Sequence, residues 1–103
     1  MLCLFSFIQP SLAADLENGA KLFKANCIGC HLKGNNSVMQ NKTLKQEALE
    51  KYGMYSIAAI TTQVTNGKNG MPAFGKKLNA TQIEDIANYV LDQSANGWTK
   101  KKA

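Results

Sequence analysis

CIGCH, residues 27–31, is the stretch of this sequence that decides the fold. It contains two of the three cysteines of the 103-residue chain and the only histidine. Cysteines paired at this spacing serve in disulfide exchange, in zinc binding and in the covalent attachment of haem. The rest of the chain has to discriminate among these three chemistries.

Disulfide exchange and zinc binding both fit the motif poorly. A disulfide oxidoreductase places its C-x-x-C pair at a helix N-terminus within βαβ units, whereas here the pair follows a predicted helix and no βαβ pattern is present. A structural zinc site needs four ligands. Once Cys3 is set aside as part of a leader, the chain offers two thiols and one imidazole, with the second thiol crowded against the imidazole.

Haem attachment accounts for every residue of the motif. Two thiols can bond to the two vinyl groups of haem, and the two intervening residues let one turn place both sulfurs at one edge of the ring. His31 then offers a ring nitrogen to the iron as an axial ligand. The alternative is a coincidental C-x-x-C beside a surface histidine. The motif therefore predicts one haem c, held by thioethers from Cys27 and Cys30.

A methionine is the natural second axial ligand, because the sequence has no other histidine. Met39 lies in a polar loop that nothing is expected to stiffen, and Met54 has the simpler role of packing, the default role of any methionine. Met71 follows Gly70, which lets the backbone approach the ring closely. It precedes Pro72, which stiffens the chain where the sulfur must be presented. Met71 is therefore the predicted ligand.

The composition predicts one compact domain without nucleic-acid binding. Twelve lysines, no arginine and seven acidic residues give a net charge of +5. That balance favours acidic partners. The absence of arginine argues against nucleic acid, because its planar fork is the preferred group for phosphate and base edges.

Residues 1–13 are predicted to be the remnant of a signal or transit peptide. The apolar run at residues 2–8 is far below the ~20 residues needed to span a bilayer. Residues 11–13 supply the small side chains that a signal peptidase reads. Cleavage before Ala14 would remove Cys3 and leave a mature domain, residues 14–103, in an exported compartment. The alternative is an ordinary apolar strand or helix.

The mature chain is predicted to be all-α, with four helices around a central cofactor. The periodicity of apolar residues places these helices at about residues 16–26, 43–51, 56–66 and 79–95. Thr43 with Gln46 and Asn79 with Gln82 fit capping boxes at the starts of the second and fourth helices. The glycine-rich run at residues 66–75 predicts a loop.

The mature chain resembles the class I c-type cytochromes, and specifically the cytochrome c6 family of cyanobacteria and algal plastids. The likeness rests on ADLENGAKLFKANCIGCH, GNNSVMQNKTL, AITTQVTNGKNGMPAFG and IEDIANYVLDQSANGW. It implies the class I cytochrome c fold with one haem c. It also implies thioethers at Cys27 and Cys30, with His31 and Met71 as the axial ligands.

The resemblance implies further residue roles. Gln63 matches a glutamine that lies near the haem and helps to set its potential; the alternative is an exposed polar residue on the third helix. Gly19, Phe23 and Tyr89 match positions where the first and last helices cross.

The resemblance implies a monomeric electron carrier that is neither an enzyme nor embedded in a membrane. Its donor would be the cytochrome b6f complex and its acceptor photosystem I in the thylakoid lumen, with a terminal oxidase as a further acceptor. Phe74 and Met71 would form an apolar contact patch, and Lys68, Lys76 and Lys77 would steer docking. One alternative is a periplasmic c-type cytochrome that donates to a respiratory oxidase or reductase. Others are a haem-based ligand-binding or peroxidase-like module and a haem-free C-x-x-C redox protein.

Overall fold

The described part of the chain folds into five α-helices. The computed structural model describes residues 15–68 and 70–99; the predicted leader, residues 1–13, lies outside this part. The helices are α1 Leu16–Asn26, α2 Ile28–His31, α3 Gln46–Lys51, α4 Ile57–Asn66 and α5 Ala80–Ala95, with a 3₁₀ turn at Leu32–Gly34. Among the described residues, extended pairing is limited to one isolated bridge, between Lys68 and Met71. The predicted all-α fold class is confirmed.

The caps of α1, α4 and α5 follow the local sequence signals. The Asp15 side chain accepts from the Asn18 amide at 2.9 Å, and Ser56 accepts from the Ala59 amide at 3.1 Å. Each satisfies a helix N–H that has no partner within the helix. The predicted capping box of α5 is confirmed, with both of its reciprocal hydrogen bonds present.

The predicted capping box at Thr43 is wrong. α3 begins at Gln46, and its N-cap residue, Lys45, makes no side-chain cap. The reason lies in the backbone of Leu44, whose amide donates to the Gly34 carbonyl at 2.7 Å. The Leu44 carbonyl in turn accepts from the Trp98 indole at 2.9 Å. Because both groups are committed to tertiary hydrogen bonds, the helix starts later than the sequence signal indicates.

α1 and α5 cross where Gly19 leaves no room for a side chain. A β-carbon at Gly19 would collide with the Asp85 carbonyl oxygen and lie 2.8 Å from the Tyr89 Cβ. Beside this crossing, the buried carboxylate of Asp85 accepts from the Asp15 amide at 3.3 Å and from the Asn18 side chain at 3.0 Å. The packing role predicted for Gly19 is confirmed.

Three aromatic side chains, Phe23, Tyr89 and Trp98, pack against one another and connect α1 to the C-terminal part of the fold. The centroid of Phe23 lies 5.4 Å from that of Tyr89 and 5.5 Å from that of Trp98. The Trp98 indole packs flat over Gly34, where a β-carbon would lie 2.5 Å from the indole nitrogen. Gly34 also has a φ of +81°, so both space and backbone conformation require glycine there.

The buried core lies between the helices. Its apolar members are Phe23, Leu49, Ile60, Val64, Phe74, Leu78, Ile83, Ile86, Ala87, Tyr89 and Val90. Within the described part of the chain, no helix is both long enough and apolar enough to cross a bilayer. The helices instead surround a cavity, which several of these core side chains line.

Candidate functional site

A cavity of about 340 Å³ lies at the centre of the fold and receives side chains from all five helices. Its inner wall is apolar, formed in part by Leu49, Ile60, Val64, Ile86 and Val90. The five residues predicted to form the site all line it, namely Cys27, Cys30, His31, Gln63 and Met71. The structure thus brings together side chains that are separated by up to 44 positions in the sequence, from Cys27 to Met71.

The CIGCH segment forms a single helical turn that directs its reactive side chains into this cavity. The Cys27 amide donates to the Phe23 carbonyl at 2.8 Å and closes α1. The Cys27 carbonyl then accepts from the amides of Cys30 at 3.2 Å and His31 at 2.9 Å. Residues three and four apart share one face of a helix. Both thiols and the imidazole therefore line the cavity together.

His31 is buried, and a hydrogen bond orients its ring. Its Nδ1 lies 2.8 Å from the carbonyl oxygen of Asn35. A carbonyl oxygen can only accept, so Nδ1 carries the proton and Nε2 keeps its lone pair. This arrangement is the one that a metal-binding imidazole needs, because the bond to Nδ1 fixes both the tautomer and the ring orientation.

The Cys27 thiol is poorly suited to disulfide exchange, and the described residues around the pair offer no zinc site. Both are free, with Cys27 half-buried and Cys30 exposed. Burial raises the pKa of the Cys27 thiol from 9.0 to about 11; Cys30 adds to the rise and Lys77 opposes it. Reactive redox thiols have a lowered pKa instead. Among the described side chains, no group of three or more His, Cys, Asp and Glu residues could hold a metal ion.

Met71 lies in a loop that is tied to α4. In this Met71 loop, residues 67–75, Lys68 and Met71 exchange backbone hydrogen bonds of 3.0 and 2.9 Å. The Phe74 amide donates to the Val64 carbonyl at 2.8 Å. These bonds hold the loop over one side of the cavity, with the Met71 side chain half-buried in its lining.

Gln63 points toward Met71. Its side-chain nitrogen donates to the Met71 sulfur at 3.6 Å, and the residue is only half-buried. Because Gln63 lines the cavity, the alternative of a purely solvent-facing residue on α4 does not apply.

All three candidate methionines line the cavity, so position alone does not single out Met71. The expectation that nothing stiffens the chain around Met39 is wrong. The Asn36 side-chain oxygen accepts from the amides of Val38 and Met39 at 2.9 and 2.8 Å, and its nitrogen donates to the Lys42 carbonyl at 2.9 Å. An asparagine that bonds the backbone two residues on is a recognisable turn signal, which the sequence analysis missed.

Phe74 does not contribute to an apolar contact patch, contrary to the sequence analysis. It is only 8% exposed and belongs to the core. Exposed apolar side chains occur instead at Ile28, Leu32 and Val38. Of the three lysines expected to steer docking, Lys68 lines the cavity, whereas Lys76 and Lys77 are exposed and lie outside the lining. Lys42, which was not among the three, also lines the cavity. The described lining includes no acidic side chain.

The donor set and the cavity fit haem c. Two thiols on one helical turn, a buried imidazole with a free nitrogen and a thioether border the same apolar space. Thiols supply covalent attachment, while nitrogen and thioether sulfur are the donors found for low-spin haem iron. Cys27, Cys30 and His31, together with one of the three methionines that line the cavity, are the residues that could hold the group.

Known proteins resemble this chain over most of its length. Residues 14–90 match the family model described as "Cytochrome C oxidase, cbb3-type, subunit III". Cytochrome c6 of Porphyra purpurea is 58% identical over 96 residues, which cover 93% of this chain and 87% of that protein. Cytochrome c6 of Thermosynechococcus vestitus is 60% identical over 95 residues, covering 92% of this chain and 85% of that protein.

Solved structures agree with these sequence matches. The crystal structure of cytochrome c6 from the diatom Phaeodactylum tricornutum superposes with a TM-score of 0.81 at 45% identity. The match covers 82% of this chain and 100% of that chain. The shared fold therefore includes the helices that surround the cavity.

Proposed function

The chain belongs to the cytochrome c6 family, as well as to the domain family of the matched model, and on this premise we propose a specific ligation and electron route. It is a c-type cytochrome, an electron-transfer protein rather than an enzyme, with haem c as its cofactor. We propose one haem per chain, bound through thioethers of Cys27 and Cys30. His31 and Met71 would supply the two protein ligands of its iron.

The observation that carries the ligation is the position of His31 in one cavity with both thiols. Met39 and Met54 line the same cavity, so the choice of Met71 rests on its setting between Gly70 and Pro72 and on the hydrogen bond from Gln63 to its sulfur. The hydrogen bond from His31 Nδ1 leaves Nε2 as the only ring nitrogen with a lone pair. The hydrogen bonds within the Met71 loop and to α4 hold the Met71 sulfur at the same space. Haem iron supplies a one-electron couple, and ligation by His and Met raises its reduction potential.

With two protein ligands, the iron would keep no open position for a substrate and would exchange only electrons. The apolar wall excludes water, and the low local dielectric strengthens the electrostatic effect of nearby dipoles such as that of Gln63.

The proposed route runs from the cytochrome b6f complex to photosystem I, with the protein dissolved in the thylakoid lumen as a monomer. The family and the photosynthetic sources of its relatives support this route. Lys42 and Lys68 at the cavity give its rim a positive charge that suits an acidic partner. Encounters of this kind bury small interfaces and dissociate quickly. A terminal oxidase is a further acceptor in this proposal.

An absorption spectrum of the purified protein in both redox states tests attachment and ligation together. Haem absorbance that stays with the denatured chain would support thioether attachment. Low-spin bands and a weak far-red band of the folded ferric protein would support two axial ligands, one of them sulfur. Met71→Ala should abolish the far-red band, while the matched variants Met39→Ala and Met54→Ala should keep it. A far-red band that persists in Met71→Ala and disappears in either other variant would assign the ligand elsewhere.

A respiratory carrier is the second candidate, with the bacterial periplasm as its compartment. The description of the matched family model, which names an oxidase subunit, favours it. The two routes differ in kinetics. The photosynthetic route requires rapid reduction of flash-oxidised photosystem I by the reduced protein. Slow reduction of photosystem I together with rapid oxidation by oxidase-containing membranes would establish the respiratory route.

A haem-based ligand-binding or peroxidase-like module is the alternative of a different class. In such a protein Met71 would leave the iron and open a coordination position. Carbon monoxide distinguishes the two, because a position filled by Met71 excludes it. Absence of carbon monoxide binding by the reduced protein at neutral pH supports the carrier, and rapid binding contradicts it.

The mature protein is proposed to begin at Ala14, after cleavage of residues 1–13. In support of this boundary, Asp15 caps α1, so the first helix of the domain begins directly after the proposed cleavage site. N-terminal sequencing of the mature protein gives a direct test. A protein that retains Cys3 would contradict the proposed processing.

A further inference from the structure

We propose that Val38 is a positioning residue for Met71, holding the Met71 loop against the cavity by its contact with Gly70. The inference rests on the proposed ligation by Met71. It assigns a function to a side chain that is 58% exposed and would otherwise be taken for surface. It also identifies the place where the segment carrying His31 touches the segment carrying Met71.

Val38 is held rigidly despite its exposure. Its amide donates to the side-chain oxygen of Asn36 at 2.9 Å, and the Asn36 nitrogen donates to the Lys42 carbonyl at 2.9 Å. The neighbouring Ser37 amide donates to the Cys30 carbonyl at 3.0 Å. Residues 36–42 therefore form a closed turn anchored to the CIGCH segment.

Gly70 is where this turn meets the Met71 loop. A β-carbon at Gly70 would lie 2.8 Å from Cγ1 of Val38, closer than side-chain carbons approach in proteins. Glycine is needed for space, so that Val38 can pack directly on the backbone next to Met71.

The contact supplies a restraint that the rest of the loop lacks. Among the described residues, the Phe74 amide donates to the Val64 carbonyl and the Gly75 amide to the Thr65 carbonyl, and both bonds tie the loop to α4. Val38 belongs to a different segment and contacts the residue directly before Met71. Removing the valine methyl groups frees Gly70 to move, which raises the population of loop conformations in which the Met71 sulfur has left its position.

Val38→Ala in the full-length protein with haem c tests the inference. External imidazole, used as the probe, competes with the Met71 sulfur for ferric iron. We expect its apparent affinity to rise about fivefold, equivalent to about 1 kcal/mol at 1.4 kcal/mol per factor of ten. The far-red band should also be weaker than in the unchanged protein, because the Met71 sulfur is away from its position more often. A merely structural role would lower the unfolding midpoint without changing either readout.

Leu32→Ala is the matched control. Leu32 is 54% exposed, close to the value for Val38, and also lies in the segment that follows CIGCH. It does not line the cavity. We expect imidazole affinity and the far-red band to be unchanged in this variant. Equal effects of Leu32→Ala and Val38→Ala, or no effect of either, would overturn the inference.

Gly70→Ala provides a second, independent variant. Its methyl group should push Val38 away and raise imidazole affinity, whereas the double variant with Val38→Ala should relieve the clash. The affinity of the double variant should therefore lie below that of Gly70→Ala alone. Additive effects would contradict a direct contact. If the unchanged protein shows no far-red band, the proposed ligation fails and this inference with it. If the band is present and responds only to Met71→Ala, this inference alone fails.

Discussion

The side-chain amide of Gln63 donates a hydrogen bond to the sulfur of Met71 over 3.6 Å. The positive end of the amide dipole therefore points toward the proposed axial ligand. The reduced site carries one positive charge fewer than the oxidised site. The positive end of a dipole therefore destabilises the oxidised site more, which raises the reduction potential.

Gln63→Leu is accordingly expected to lower the potential. A difference of about 1 kcal/mol for one hydrogen bond corresponds to about 40 mV for one electron. Redox titration of the protein measures it. Gln46→Leu is the matched control, because its amide pairs with Glu50 on the surface of α3. A rise in potential in Gln63→Leu, or an equal fall in both variants, would contradict this account.

Gly19→Ala is expected to destabilise the fold strongly. The added methyl group would collide with the Asp85 carbonyl and lie 2.8 Å from the Tyr89 Cβ, so α1 and α5 would have to separate. Overpacking of this kind costs about 1–3 kcal/mol in the free energy of unfolding. Denaturant titration followed by circular dichroism measures the loss.

Gly29→Ala is the control for that experiment. A β-carbon at Gly29 meets no protein atom within 4 Å, and the residue lies in α2. Its stability should therefore change little. Equal losses at the two positions would show that the α1–α5 crossing tolerates a side chain.

Trp98 is expected to stabilise the fold by two separable contributions. Trp98→Phe removes the indole hydrogen bond to the Leu44 carbonyl but keeps an aromatic ring, and should cost about 1 kcal/mol. Trp98→Ala also loses packing against Phe23 and Tyr89, and should cost about 3–5 kcal/mol. Chemical denaturation of both variants measures the split. Similar losses in the two variants would contradict a role for ring packing.

Lys68→Gln should slow electron transfer to photosystem I about threefold at low ionic strength, since Lys68 lines the mouth of the cavity. The rate of the variant should also depend less on salt than that of the unchanged protein, because added salt screens exposed charges and one such charge has been removed. Flash photolysis over a range of salt concentrations measures both. Lys21→Gln, an exposed change on α1 outside the cavity, is the control. A rate that does not depend on salt would reject steering by lysines.

Local sequence signals predicted most of the helices. The bounds of α1 and the capping box of α5 follow from side chains that act within one turn. The start of α3 could not be predicted in this way. Leu44 bonds to Gly34 and to Trp98, the latter 54 positions away, and these contacts override the local signal at Thr43.

The candidate site likewise has one part that local sequence sets and another part that tertiary contacts set. CIGCH predicted a haem-binding segment because its thiols and imidazole lie within five consecutive residues, whose geometry is set by one helical turn. The surface around the cavity was predicted less well. The hydrogen bond from the Phe74 amide to the Val64 carbonyl holds the backbone of Phe74 beside the core. The side chain of Asn36 accepts from the Met39 amide and so orders the chain around Met39.

By itself, the sequence determined the chemistry of this protein, because the donors of CIGCH are neighbours along the chain and any fold must keep them together. Only the tertiary structure decided which distant residues complete the cavity. Gln63 meets Met71, and Val38 meets Gly70, because separate segments pack against one another. Such contacts depend on the packing of the whole chain, which no local pattern encodes.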